Sequence, residues 1–167
     1  MRMGDLSDRL LEMARQYAEA ARTVLGDRLV SVVLFGSVAR RQCGPTSDID
    51  LIVVLREAPL SARARRAILE PVRARLEPKL EELWREGKFT DFTEIVFTPS
   101  EAQKTHSLFL EVLEDGVILY DAGGFFAGVI RRLRDTLQRL GAQRKTIGRL
   151  RYWDLKPDFR PGDVVEL

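Results

Sequence analysis

Two apolar runs flanking a short polar insert constrain this chain more than any other feature. Leu29 to Phe35 reads Leu-Val-Ser-Val-Val-Leu-Phe, and Leu51 to Leu55 reads Leu-Ile-Val-Val-Leu. Runs of this length, rich in Val, Ile and Leu and punctuated by Gly or Pro, suit strands covered on both faces better than helices. The polar residues between them, from Gly36 to Asp50, are therefore conspicuous: Gly-Ser-Val-Ala-Arg-Arg-Gln-Cys-Gly-Pro-Thr-Ser, then Asp-Ile-Asp.

Asp48 and Asp50 stand at the mouth of the second strand. Residues two apart in a strand leave the same face, roughly 7 Å apart at Cα. Two carboxylates so close repel, and keeping both ionised beside a covered sheet is unfavourable unless a cation sits between them. Hard divalent ions such as Mg²⁺ take oxygen ligands in this way. Upstream, Gly36-Ser37 ends the first strand and Val38 to Gln42 can form one or two helical turns. A strand, a Gly-Ser turn and a helix start leave backbone N–H groups free, a ready phosphate site to which Ser37 can add its hydroxyl. Read as residues alone, Gly-Ser also fits an ordinary strand-ending turn, and Asp50 a solvated strand end.

The spacing of Gly36-Ser37 to Asp48-x-Asp50, with Ala39, Arg40 and the run Gly-x-x-Ser-Asp-Ile-Asp-Leu-Ile-Val from Gly44 to Val53, resembles the nucleotidyltransferase superfamily that includes DNA polymerase beta. It is most similar to the small stand-alone members, the minimal nucleotidyltransferases. The resemblance implies an α/β (α+β) fold, a small mixed β-sheet with helices packed on it, and nucleotidyl transfer by two-metal chemistry. It implies that Gly36, Ser37, Arg40 and Arg41 contact a nucleoside triphosphate such as ATP, and that Asp48 and Asp50 hold Mg²⁺, with Mn²⁺ as a substitute. The superfamily places a third carboxylate on a neighbouring strand just before an apolar run. Glu94, ahead of Ile95-Val96-Phe97-Thr98, occupies that place, with Asp91 as competitor; the two have opposite parity, so a regular strand turns only one of them toward the aspartate pair. Here the acid is Glu rather than the usual Asp, one methylene longer.

A chain of 167 residues, 45% hydrophobic and 31% charged, can bury a core without staples. One cysteine, Cys43, excludes an internal disulfide, and one histidine, His106, leaves too few soft ligands for zinc. No apolar stretch is long enough to span a bilayer and the N-terminus lacks the core of a signal peptide, so a cytoplasmic protein without membrane contact is expected. Net charge is only +2, but eight Lys or Arg face one acid, Asp135, between Arg131 and Arg151. That excess suits an anionic partner or a solvated surface.

Along the chain, Leu6, Leu10, Met13, Tyr17, Ala21 and Val24 recur at helical spacing, which predicts a helix over Leu6 to Leu25 with Asp5 as N-cap and Gly26 as stop. Ser61 to Arg85 reads as a charged helical region broken near Pro71 and Pro78, its arginines balanced by glutamates on an exposed face. Phe89 to Thr98 is a third strand. Ser100 is a candidate N-cap for a helix through Glu114, within which His106 is a surface or hydrogen-bonded residue, and Val117 to Tyr120 is an edge strand. Phe125 to Leu140 carries a last amphipathic stripe. From Arg144 the tail mixes basic residues with Tyr152 and Trp153, which can stack on nucleic-acid bases or anchor the tail. These readings place a nucleotidyltransferase-like domain over 1–122 and a C-terminal helix with an extended basic, aromatic tail over 123–167.

The leading expectation is transfer of a nucleoside monophosphate from a triphosphate to an acceptor hydroxyl, with Asp48, Asp50 and Glu94 as the catalytic and metal-holding acids. The alternative is a catalytically weak binding module such as the antitoxin partner of a helical toxin, using an exposed apolar face and the Arg-rich helix against a helical protein or a second copy. Nucleic-acid binding by the basic tail is a third reading.

Overall fold

The computed structural model describes residues 3–104, 106–148 and 150–157. Helix α1 (Met3–Leu25) leads through a 3₁₀ turn into β1 (Leu29–Phe35), α2 (Gly36–Ala39), β2 (Ile49–Leu55), α3 (Ala62–Ala74) and α4 (Glu77–Arg85). There follow β3 (Phe92–Phe97), α5 (Pro99–Ala102), α6 (Leu108–Asp115), β4 (Val117–Asp121), α7 (Phe125–Arg139) and a hairpin of β5 (Gln143–Ile147) and β6 (Leu150–Asp154).

Four strands form one mixed sheet in the order β3-β2-β1-β4, with β2 parallel to β3 and β1 antiparallel to both of its neighbours. The two apolar runs are its central strands. Because helices cover both faces, side chains of either parity are buried, and the runs read as continuous rather than alternating. Leu29, Val32, Leu34, Leu51, Val53 and Leu55 pack against α1, α3 and α4. Val30, Val33, Phe35, Ile52 and Val54 pack against Phe109 and Val112 of α6 and Phe126, Val129, Leu133 and Leu137 of α7.

Several local expectations change. α1 begins ahead of Asp5, at Met3, so Asp5 lies inside the helix. The charged region splits where Pro78 enters the first turn of α4, while Pro71 is accommodated inside α3. Thr98, not Ser100, caps α5: its hydroxyl accepts from Glu101 N and the Glu101 carboxylate accepts from Thr98 N. The helix expected to continue through Glu114 is two helices, α5 and α6. His106 lies between them, its Nε2 3.0 Å from the Glu101 carbonyl and its ring against Phe97 and Phe109.

Arg65 and Arg73 depart from the exposed-face reading. Arg65 donates to the Val96 carbonyl and to both oxygens of Glu101, and Arg73 donates to the Phe92 carbonyl. These guanidinium groups cap carbonyls on the free edge of β3, as sheet edges require. The tail is not extended over its described part, because β5 and β6 pair from Gln143↔Asp154 to Ile147↔Leu150. Trp153 and Leu155 rest against the α6–α7 core, which makes the aromatic pair in part an anchor. Arg149 and residues 158–167, including Pro161 and Gly162, lie outside the described residues.

Candidate active site

The C-terminal end of β1 and the N-terminal ends of β2 and β3 meet at one rim of the sheet. Phe35 pairs with Asp50 across β1 and β2, which sets Gly36 directly against the Asp50 side chain. A Cβ at Gly36 would lie 2.2 Å from Asp50 Oδ2, and the residue has φ +73°. Glycine is required here twice over, by the left-handed backbone and by the closeness of the carboxylate. The chain then makes one turn of α2, with Arg40 N donating to Gly36 O and Gln42 N to Ser37 O. The Ser37 hydroxyl makes no hydrogen bond among the described residues. Ser47 closes the following loop by accepting from Gly44 N at 2.9 Å.

Asp48 and the start of β3 are knitted together: Asp91 N donates to Asp48 Oδ1 at 3.1 Å, and Ile49 N to the Asp91 carbonyl at 2.8 Å. Asp50 shares the parity of Ile52 and Val54 and so belongs to the face covered by α6 and α7. Among the described residues no Lys or Arg forms an ion pair with Asp48 or Asp50. Burial pushes the Asp50 carboxyl above the ordinary aspartate range; the charges of Asp48 and then Glu111 raise it further, and Arg40 offsets part of the rise. Asp48 is close enough for its charge to be felt at Asp50.

Glu94 lies on the opposite face of the sheet from Asp50, although it lines one cavity with Asp48. It has the parity of Phe92 and Val96, which are buried on the opposite face with α1 and α3. There its carboxylate, 5% exposed, accepts from Arg73 Nη1 at 2.8 and 3.0 Å and from the Tyr17 hydroxyl at 3.2 Å. Burial raises this carboxyl, and Arg73 and Tyr17 pull it partway back. The other nitrogen of Arg73 holds Asp91 at 2.7 and 2.8 Å. Both candidates for the third acid are thus bound by one arginine, and the β3 residue beside Asp50 is Thr93. Glu94→Gln is accordingly expected to keep transfer within about threefold of wild type, under about 1 kcal/mol of barrier. An initial-rate assay checks this, and a collapse of rate would return Glu94 to the site.

The two arginines of the turn diverge. Arg40 is 3.7 Å from Glu111 of α6, on the Asp50 side. Arg41, at φ +56°, turns outward to Asp8 of α1 at 3.2 Å and is mostly exposed. Glu111 is the acid that the sequence did not disclose. It lies in a helix far along the chain, and only the packing of α6 over the sheet brings it to Asp50. Among the described residues, no three His, Cys, Asp or Glu side chains gather closely enough to hold a metal ion.

Two cavities are lined in part by residues named above. One, about 600 Å³, runs between β3 and α3 with Asp48 at its edge and Arg65, Arg66, Leu69 and Asp91 in its walls. The other, about 330 Å³, lies between α6 and the C-terminal hairpin and is bordered by Arg40 and Glu111. No described helix is long and apolar enough to cross a membrane.

Residues 15–114 match a family model described as a nucleotidyltransferase domain. The chain is 25% identical over 127 residues to a Methanocaldococcus jannaschii protein assigned provisionally as a protein adenylyltransferase, covering 75% of this chain and 81% of that one. Among solved structures it resembles spectinomycin adenyltransferase from Enterococcus faecialis with ATP and spectinomycin, at 14% identity and TM-score 0.51, over 78% of this chain and 66% of that one. A toxin-antitoxin structure with AMP-PNP aligns at 17% identity and TM-score 0.48, over 77% and 92% of the two chains. At 14% identity the likeness to the spectinomycin adenyltransferase speaks to the fold alone.

Proposed function

The chain belongs to the nucleotidyltransferase domain family, and from that premise we propose that it transfers AMP from ATP to a hydroxyl on a protein acceptor. The observation that carries this reading is the pair Asp48 and Asp50: two carboxylates with no ion pair to a Lys or Arg among the described residues, one raised by burial and by the other, beside a turn whose glycine makes room for it. Such a pair suits a divalent cation. The name of the M. jannaschii relative supports a protein as acceptor.

Asp48 and Asp50 are the residues that would hold Mg²⁺, which when bound neutralises the phosphates and the leaving pyrophosphate. Gly36 and Ser37 offer backbone N–H groups and a free hydroxyl to the triphosphate. Arg40 exchanges Glu111 for a phosphate oxygen, a stronger partner for a guanidinium. Arg41 lies beyond the rim and attracts the anion without touching it. The acceptor oxygen attacks the α-phosphorus in line: an O–P bond forms, the α–β phosphoanhydride breaks, and pyrophosphate departs. Glu111, freed from Arg40, is placed to take the hydroxyl proton. Glu94 and Asp91, engaged by Arg73, support the rim from the far side.

The reading is tested by incubating the chain with each α-labelled nucleoside triphosphate, Mg²⁺ and a lysate of the source cell, then resolving the products. A protein band labelled from ATP is expected. Label confined to nucleic acid or to small molecules would redirect the acceptor, and no label from any triphosphate would refute transfer.

A further inference from the structure

Asp48 and Asp91 each stand one residue ahead of the strand that they introduce, because the β2–β3 ladder begins at Ile49↔Phe92. Residues at the end of a ladder are the first to open. These two are nonetheless joined, since Asp91 N donates to Asp48 Oδ1 at 3.1 Å and Ile49 N to the Asp91 carbonyl at 2.8 Å. The bond from Asp91 N is the one hydrogen bond that the Asp48 carboxylate makes among the described residues, and it leaves Oδ2 to a cation. The aim of Asp48 therefore depends on where Asp91 is held.

What holds Asp91 is Arg73. Its helix, α3, is fixed to the sheet by the buried Leu69 and Val72, and its guanidinium is 13% exposed. Nη1 donates to the Phe92 carbonyl and the Glu94 carboxylate, while Nη2 donates to both oxygens of Asp91. The arm to Glu94 answers a buried charge, which has to be paired. The arm to Asp91 lacks that explanation, because Asp91 is 47% exposed, water would serve it, and pairs so exposed add little stability. That arm instead pins the residue whose N–H orients Asp48. We propose that Arg73 is a positioning residue for the cation site: through Asp91 it keeps the Asp48 carboxylate turned to receive the metal that arrives with the nucleotide. This rests on the reading of Asp48 and Asp50 as the cation-holding pair, and it gives the third-acid candidate Asp91 a role in the site through its backbone. Outer partners of metal ligands act in this way, by fixing orientation.

Mn²⁺ titration of the full chain with a nonhydrolysable ATP analogue, followed by electron paramagnetic resonance, tests it. The double variant Arg73→Met, Glu94→Gln removes the tether, leaves no unpaired buried acid and keeps the net charge. It should bind the Mn²⁺–nucleotide complex at least about tenfold more weakly than wild type, the loss usual when the partner of a metal ligand is removed. Glu94→Gln alone keeps Arg73 on Asp91, so its affinity should stay within about threefold of wild type, although its unfolding temperature falls. Arg73→Lys keeps the charge without the fork and is the second route should the double variant fail to fold; the same loss is expected. In transfer assays the defect should appear as a higher Mg²⁺ requirement, with the rate at saturating Mg²⁺ within about threefold of wild type. Wild-type affinity in the tether variants, or an equal loss in Glu94→Gln, overturns the positioning role while leaving the aspartate pair standing. A wild-type protein that binds no Mn²⁺ with the nucleotide overturns both.

Discussion

Asp50→Asn is expected to lower transfer by about 10³-fold or more while making the unliganded protein more stable. The first half follows from losing a group that holds charge at the reacting phosphate, for which losses of order 10²–10³ are usual. The second half follows from linkage. The Asp50 carboxyl is raised in the folded protein by burial first, then by Asp48 and Glu111. An acid with a raised folded value favours folding at low pH, where it is protonated in both states. That contribution is lost as pH rises through the folded value, so at neutral pH the ionised group opposes folding. Asparagine removes the opposition without altering the shape. Thermal unfolding from pH 4 to 8 checks this: the variant should gain on wild type as pH rises. A variant less stable at pH 7, or one that still transfers at the wild-type rate, would contradict the assignment.

Gly36→Ala should damage the protein by a different route. The left-handed backbone alone costs a non-glycine residue about 1–2 kcal/mol. Beyond that, the new methyl would meet Asp50 Oδ2 at 2.2 Å and must displace the carboxylate or the turn. A shift of about 1 Å in a reacting group can cost 10²-fold in rate. We expect transfer reduced by at least about 10²-fold together with lower stability. Gly26→Ala is the control, since Gly26 also has positive φ, +52°, but nothing within 4 Å of the new methyl. It should share the backbone penalty and keep full activity. Equal rates in the two variants, compared by initial-rate assay, would show that the Gly36–Asp50 contact is unimportant to the chemistry.

Much of the candidate site was legible because its residues are close in sequence. Gly36, Ser37, Asp48 and Asp50 lie in one strand-turn-strand unit, and Leu29 to Phe35 and Leu51 to Leu55 are apolar apart from Ser31 because helices cover both sheet faces. What failed to show were choices made by distant partners. The face of Glu94 is decided by Phe92 and Val96 packing under α1 and α3, and its charge is answered by Arg73, 21 residues upstream. Glu111 reaches Asp50 only through the packing of α6.

The hairpin was hidden by composition. Gln143 to Ile147 is too polar to read as a strand, although Gly148 at the start of a two-residue connection between Ile147 and Leu150 was a usable sign. Asp121 joins its strand to the helix that follows it. Its carboxylate accepts from Ser31, Phe126 N and Ala127 N, and it caps α7 rather than facing the rim.

The central claim is that Asp48 and Asp50 tolerate each other because they share a cation with a polyphosphate. The most direct measurement is Mn²⁺ binding in the presence of a nonhydrolysable ATP analogue, followed by electron paramagnetic resonance in wild type and in the doubly substituted Asp48→Asn, Asp50→Asn protein. The account predicts tight binding of the Mn²⁺–nucleotide complex by wild type and at least a tenfold loss in the variant, which remains folded. Equal affinity in the two proteins would contradict it.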